Sequence, residues 1–352
     1  MDLIVKGAHE TKPLIDSSGR NVNKPCKAIK SKDVDQVKRV CKLNLKRLQT
    51  INRDNVVNLL ERAQNERRKV ADGQTSYLAD QPTIREQIDY LDRLIQSSVW
   101  TLYHSNYEGY KNKMPLEYVE SRMGRLNGIG FHLQNAPRII KTAALDNQID
   151  YDIVNCHITL AAQLGKQEGL NTDSLDWYID TKADKDKFKH LAREFEVTPG
   201  ELKQAMLAII YGASINSHFN DTAINEIFQE TRADFLNHAE VKGFVSQVGE
   251  IRSAVVANTK QKEGLLINRL GKKISLTENL KTQFAHVLHG YEATMLHIAL
   301  EHYGDKITLL SHDGFAANDS INTDLITNEY HKQTGLKISM ESETIKYGFA
   351  KS

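Results

Sequence analysis

The sequence predicts an α+β fold in which a small antiparallel sheet is backed by helices. Three observations lead there. Short apolar runs at 150–154 and 306–310 end in turn chemistry, the second followed closely by Asp313-Gly314. Residues 172–260, which separate them, run at helical spacing. The resulting order is strand, long helical insert, helix, strand, turn, strand, which suits one compact sheet with helices packed on it.

Element by element, residues 1–32 are broken by Pro13, Gly19 and Pro25 and carry no period. From Asp33, an N-cap residue type, Val34, Val37, Val40, Cys41 and Leu45 fall at helical spacing and predict a first helix. Val56, Val57, Leu59 and Leu60 open a second, running through the Glu-Arg-Arg-Lys segment at 66–69 and ending at Ala71-Asp72-Gly73. Thr83 caps a third that carries Ile84, Ile88, Leu91, Leu94, Ile95 and Val99. Residues 121–150 read as loop and strand, 150–154 as a strand, and 157–169 as a helix closed by a glycine. Thr198-Pro199 marks another helix start, with threonine at the cap and proline in the first turn. A hairpin is expected over 264–276 with Gly271 at its turn, then a helix over 279–302, a helix near 323–334 and a strand over 336–340.

With 352 residues the chain exceeds the ~250–300 at which one core stops growing, so two or three lobes are expected. A net charge of +1 excludes a uniform polycation. The first fifty residues nevertheless hold twelve Lys/Arg against five Asp/Glu, which fits a solvated basic face or a phosphate-binding arm equally well. Cys26, Cys41 and Cys156 show neither pairing nor CxxC spacing, so a disulfide framework and a structural zinc site are not expected, and a reducing cytoplasm is. No apolar run reaches the ~18 residues of a membrane helix, and no membrane partner is expected.

The chemistry-bearing residues are sparse. Asp152 and Asp313 each stand at the end of an apolar strand, where a strand fixes the side chain and the following turn leaves it open. A pair of such carboxylates suits two divalent cations, and Mg2+ prefers hard oxygen ligands of this kind. Either aspartate alone reads more simply as a turn residue. Lys203 and Tyr211 lie eight apart, so they share one helix face roughly a dozen ångströms apart. An ammonium near a helix start suits a polyphosphate, and an aromatic ring further along suits a base; a surface lysine and a core tyrosine are the plainer reading. Arg125 follows Gly124, and Gln134-Asn135 follows soon after; such side chains grip a phosphate backbone.

Taken together and in this order, these segments resemble the palm and fingers shared by family A DNA polymerases and phage-type single-subunit RNA polymerases. Met-Gly-Arg-Leu at 123–126 with Leu-Gln-Asn-Ala-Pro at 133–137 resembles the template–primer grip, and Asp152 with its following helix resembles motif A. Residues 203–212 resemble motif B, and Ser-His-Asp-Gly-Phe at 311–315 resembles motif C. The likeness covers about residues 115–345 and implies a right-hand architecture. It divides the chain into a helical, thumb-like N-terminal region (1–114), a first part of the palm (115–170), fingers (171–262) and a second part of the palm (263–352).

The resemblance also implies roles. Asp152 and Asp313 would bind Mg2+, Lys203 would steady the triphosphate, and Tyr211, with Gly212 beside it, would stack under the nascent pair. Arg125, Gln134, Asn135 and His312 would hold nucleic acid. The chain departs from the pattern in two places. Pro199 stands where an arginine four before the motif B lysine is usual, and His157 stands where DNA polymerases carry a glutamate that rejects the 2′-hydroxyl and phage-type RNA polymerases a glycine. An imidazole can bond a ribose hydroxyl, and Phe-Ala-His at 284–286 resembles an RNA-polymerase segment whose histidine touches the sugar, so His157 and His286 point toward ribonucleotides. The expectation is a DNA-dependent RNA polymerase, in outline the catalytic subunit of a heterodimeric bacteriophage enzyme in the infected host cytoplasm. Its partners would be a DNA template, an RNA product, nucleoside triphosphates, and a second polymerase subunit or single-stranded-DNA-binding helper. A primase-like or minimal DNA polymerase, or a non-catalytic nucleic-acid-binding relative, is the alternative.

Overall fold

The computed structural model describes residues 44–79, 81–105, 112–215 and 222–348. Most of the expected first helix and of the basic N-terminal arm therefore lies outside the described residues. Where that helix was expected to end, at Leu45, the chain is already a strand, β1 (Asn44–Thr50), paired antiparallel along its length with β2 (Lys113–Glu120). Met114, Leu116 and Tyr118 of β2 alternate into the core, and pairing with this half-buried strand decides the conformation at Leu45. β3 (Leu126–Gly128) completes this sheet on the other side of β2.

Between β1 and β2 lie the two helices that the sequence predicts. α1 (Arg53–Ala71) begins where the Asn52 side chain accepts from the Asn55 amide, and α2 (Ile84–His104) begins with a Thr83–Glu86 capping box. They pack together through Val56, Leu59 and Leu60 on one side and Leu91 and Leu94 on the other, all buried. The stretch after β3 departs from expectation. It contains a 3-10 turn (Leu133–Asn135) and α3 (Arg138–Ala144), started by Pro137 and burying Ile140, Ala143 and Ala144. Seven residues are too few to display a helical period, so proline and burial decide that element.

From β4 (Ile149–Ile153) the chain enters α4 (Cys156–Gln167) and then a helical insert. The insert comprises α5 (Asp173–Ala183), α6 (Lys185–Glu194), α7 (Pro199–Ile210), α8 (Ala223–Phe228), α9 (Arg232–Asn237) and α10 (Ala239–Asn258). As expected, α7 starts at Thr198-Pro199, with a Thr198–Glu201 capping box. The hairpin over 264–276 is present as β6 (Leu265–Ile267) and β7 (Lys273–Ser275), with β5 (Gln261–Lys262) added at its edge. α11 (Leu280–Tyr303), the longest helix among the described residues, leads to β8 (Ile307–Leu310), β9 (Gly314–Ala317), α12 (Thr323–Thr334) and β10 (Met340–Thr344).

The sheet that positions the site has the order β10-β4-β9-β8, and every pair is antiparallel. Its two faces differ sharply because side chains alternate along a strand. Tyr151 and Ile153 of β4 and Phe315 of β9 point into the core, where Tyr151 stacks on Phe315 with ring centroids 5.2 Å apart. The opposite face carries Asp150 and Asp152. The last strand corrects the sequence reading: it runs over Met340–Thr344 instead of 336–340, since Leu336 and Ile338 are buried in the connection after Gly335, whose left-handed backbone (φ 75) ends α12. Tyr118 ties the two sheets together, its hydroxyl accepting from the Leu310 amide at 2.9 Å. No helix of the described residues is long and apolar enough to cross a membrane.

Candidate active site

Strand pairing sets the two aspartates on neighbouring stretches of backbone. β9 starts at Gly314, so Asp313 is the residue that enters it, and the Ile153 amide donates to the Asp313 carbonyl at 3.0 Å. In register, Asp152 lies opposite Gly314 on one neighbour and Glu341 on the other, while Asp150 lies opposite Ala316 and Glu343. Directly opposed residues share a face. Asp150, Asp152, Glu341 and Glu343 therefore form one acidic face beside Asp313. Gly314 is required there, because a Cβ at that position would lie 2.1 Å from the Asp152 Oδ1 and 2.2 Å from the Tyr151 carbonyl oxygen. Any larger residue would push the Asp152 carboxylate off the strand.

Crowding carboxylates raises their proton affinity. Burial, then Asp313, Asp150 and Glu341, push the Asp152 carboxyl up to about 7, with Lys203 opposing. Burial also raises Asp150, against the pull of Lys141 and Arg138. The donor set is all carboxylate oxygen, which fits hard divalent cations such as Mg2+ better than softer metals.

Two lysines face this cluster. Lys203, on the first turns of α7, is exposed and acts electrostatically on Asp152. Lys182, from the last turn of α5, donates to the Asn155 side-chain oxygen just past β4. Burial and then Lys203 lower Lys182 to about 8, while Glu341 and Asp313 favour its charge. Sequence reasoning missed Lys182, Glu341 and Glu343. A corrected register for β10 would have found the glutamates, since they stand two apart and flank β4. No spacing rule could have found Lys182, which reaches the site only because α5 packs on α4.

A second cluster lies against the first. The Tyr211 hydroxyl is 3.1 and 3.2 Å from the two His157 ring nitrogens and 3.3 Å from the His289 Nε2. His157 Nε2 is 3.3 Å from Glu292 Oε2, to which Arg125 also donates at 2.7 Å. Burial, then Arg125, holds the His289 imidazole far below its usual range, so it is neutral, and burial pushes the Tyr211 phenol well above its own. His157, His289 and Glu292 offer ligand atoms within 4.8 Å of one another, a set that could take a transition metal. The Arg125 guanidinium already neutralises Glu292, so the arrangement is charge-balanced as a hydrogen-bonded platform under Tyr211. His289 and Glu292 are three apart on α11, a spacing that puts them on one face and was the available signal for them.

The remaining expected contacts fall differently. Arg125 leaves the turn closed by the Ser121 amide donating to the Arg125 carbonyl at 2.7 Å, and its side chain is spent on Glu292, leaving it one-fifth exposed. Gln134 is buried: its amide donates to the Leu126 carbonyl at 2.9 Å and its oxygen accepts from the Gly128 amide at 2.8 Å, so it braces β3. Asn135 is exposed beside it, and His312 is partly exposed, lowered by burial. His286 is fully buried, and its Nε2 meets the Lys272 carbonyl at 3.1 Å. That side chain holds the hairpin, which removes it from sugar contact; His289 one turn on is the histidine that faces Tyr211. Gly212 is a buried helix terminator with φ 75, and a Cβ there would meet the Lys281 side chain at 2.8 Å. A surface recess of about 690 Å3 lined by Trp177, Asp184, Lys187, His190 and His238 touches none of these groups, so chemistry and not cavity shape locates the site.

No sequence-family description matches the chain, and no curated protein does. Among solved structures, the POL domain of Pol1 from M. smegmatis, in complex with DNA primer-template and dNTP, superimposes with a TM-score of 0.57. The match covers 85% of this chain and 67% of that one at 13% identity. The fold is polymerase-like. At such identity the likeness speaks for architecture, and the site residues rest on their own geometry.

The site yields two predictions. The Asp152 pKa is higher folded than unfolded, so without cations its ionisation costs stability as pH rises from the ordinary aspartate range through about 7. Asp152→Asn removes that cost: cation-free variant and wild type melt together at about pH 4, and the variant melts higher at about pH 8. Thermal melts across pH check this, and equal melting temperatures at the alkaline end refute it. Glu292→Ala strands Arg125 in a mostly buried setting and is expected to cost about 3 kcal/mol or more in denaturant unfolding, with Glu292→Ala/Arg125→Met recovering part of the loss.

Proposed function

We propose that the chain is a template-directed nucleotidyltransferase that extends a nucleic-acid strand by two-cation phosphoryl transfer. The observation that carries the reading is the cross-strand placement of Asp152 and Asp313 on one acidic sheet edge, faced by lysines from the helical insert. In this reading the sheet is the palm and the insert the fingers. Asp152 and Asp313 hold the cations; divalent ions, when bound, neutralise charge on the attacking and leaving oxygens. Lys203 draws the incoming triphosphate toward the carboxylates, and the Tyr211 ring forms a floor for the base pair. The 3′-hydroxyl of the growing strand attacks the α-phosphorus in line, its proton is lost, and the bond to the β-phosphate oxygen breaks to release pyrophosphate. Asn135 and His312 contact the template–product duplex, and Arg125 and Gln134 keep that surface in shape.

We favour ribonucleotides, and so a DNA-dependent RNA polymerase of the phage type. The support is His157, whose ring meets the Tyr211 hydroxyl where a sugar would lie and can donate to or accept from a 2′-hydroxyl. DNA synthesis is the second reading, favoured by the solved neighbour, which carries a DNA primer-template and a dNTP. Promoter recognition falls to a second subunit or a single-strand-binding helper; unaided initiation at a defined promoter by the purified chain overturns that part.

Primer extension on a DNA-template scaffold with Mg2+, comparing ribo- and deoxyribonucleotides, tests the proposal. Asp152→Ala and Asp313→Ala are each expected to lower extension by about a thousandfold or more, since losing a cation ligand costs several kcal/mol at the transition state. Near-normal turnover in either removes that residue from the site, and failure of the wild type with both nucleotide classes removes the enzyme reading. His157→Glu is expected to move preference toward deoxyribonucleotides; an unchanged ratio means that the imidazole does not read the sugar.

A further inference from the structure

Two imidazoles and a carboxylate from two helices meet beside the sheet edge without bonding one another well. His157 lies in the first turn of α4, and His289 and Glu292 stand three apart on one face of α11. Each offers a ligand atom, and these atoms lie within 4.8 Å of one another. The Tyr211 hydroxyl is 3.1 Å from one ring nitrogen of His157 and 3.2 Å from the other, so it lies midway between them and in line with neither lone pair. It is 3.3 Å from His289 Nε2, and His157 Nε2 is 3.3 Å from Glu292 Oε2. Good hydrogen bonds between such groups are nearer ~2.9 Å. Ligand atoms held ~2.0–2.1 Å from a tetrahedral ion lie roughly 3.3 Å apart, which is the spacing found here.

Two further observations single out a cation as the ligand. Glu292 is fully buried, yet Arg125 places both Nε (2.7 Å) and a terminal nitrogen (2.6 Å) on the same oxygen, Oε2. Oε1 has no hydrogen-bond partner among the described residues. A buried carboxylate oxygen left bare is costly, and a cation relieves it. His289 Nδ1 lies 3.0 Å from the Met123 sulfur, which can only accept, so Nδ1 carries the hydrogen and Nε2 keeps its lone pair toward Tyr211. Imidazole nitrogens select a transition ion, whereas the all-oxygen edge at Asp152 and Asp313 suits Mg2+.

We infer that His157, His289 and Glu292 form a binding site for a transition-metal dication such as Zn2+, with the Tyr211 hydroxyl or a water as fourth ligand. Arg125 is the internal competitor, since a guanidinium on the same carboxylate repels the ion. A bound ion holds His157 and Tyr211 away from a nucleotide and so inhibits extension. That consequence rests on the proposed function; the metal site itself does not. The alternative is a hydrogen-bonded network with no affinity for metals.

The test uses the full chain in excess Mg2+, which occupies oxygen-only sites, and follows Zn2+ by calorimetry and Co2+ by its visible absorption. The wild type is expected to take up one equivalent of either ion. His157→Gln and His289→Gln each weaken uptake about a hundredfold or more, since a ligand is lost. Arg125→Met binds Zn2+ about tenfold tighter or more, because the competing charge is gone, and a gain of this kind cannot come from misfolding. In primer extension Zn2+ slows the wild type, and the concentration that halves the rate rises in His289→Gln and falls in Arg125→Met. The inference is overturned if the wild type takes up neither ion, if both histidine variants bind as the wild type does, or if Arg125→Met binds no tighter; that last variant decides if the histidine variants do not fold. Zn2+ that binds through the histidines without slowing extension removes the inhibitory role. A chain that binds Zn2+ through them yet extends no primer in its absence sinks the polymerase reading and leaves the metal site standing.

Discussion

The backbone bond from Ile153 to Asp313 (3.0 Å) fixes the register in which β4 meets β9, and the chemistry of this chain depends on it. Side chains alternate every residue along a strand, so a slip of one position would turn Asp150 and Asp152 into the core and Tyr151 and Ile153 out to solvent. The stack of Tyr151 on Phe315 opposes that slip from the apolar side. Gly314 permits the register from the polar side, because only a residue without a side chain leaves room for the Asp152 carboxylate. Packing on one face thus sets the electrostatics on the other.

The resulting site holds charges in two distinct ways. On the sheet edge, carboxylates from β4, β10 and the turn before β9 crowd one another with no basic residue among the described ones bonded to them, and Asp152 becomes a weak acid. Such an edge is chemically suited to hard divalent cations. Next to it, Arg125 and Glu292 pair within the protein, and the histidines and phenol around them form a polar platform. The first region is built to change its charge state on binding, the second to keep its shape. α11 supplies the second and backs the first, which explains why so long a helix is buried for much of its length.

The likeness to a solved polymerase domain at 13% identity shows how little of this arrangement needs particular residues. Strand order, a helical insert between β4 and β8, and a long helix behind the sheet can be kept by any sequence with the same alternation and burial pattern. Against the family pattern that the sequence resembles, Pro199 stands where a basic residue is expected and His157 where a glutamate or a glycine is; in the fold Pro199 begins α7 and His157 meets the Tyr211 hydroxyl.

The sequence alone determined the elements that local signals announce. Capping chemistry at Thr83, Thr198 and Asn279, the turn at Gly271 and the apolar runs before Asp152 and Asp313 each sit where their own few residues dictate. It did not determine β1, α3 or the span of β10, because those depend on a distant strand, on burial of a single turn, or on which of two adjacent stretches pairs with β4. Among the site residues, the aspartates, Lys203, Tyr211 and His157 were legible as an ordered set of types. The side chains that surround them, Glu341, Glu292, His289 and Lys182, were not. Hydrogen bonds and Coulomb forces act over a few ångströms of space, and only folding brings residues 135 positions apart, such as His157 and Glu292, within that range.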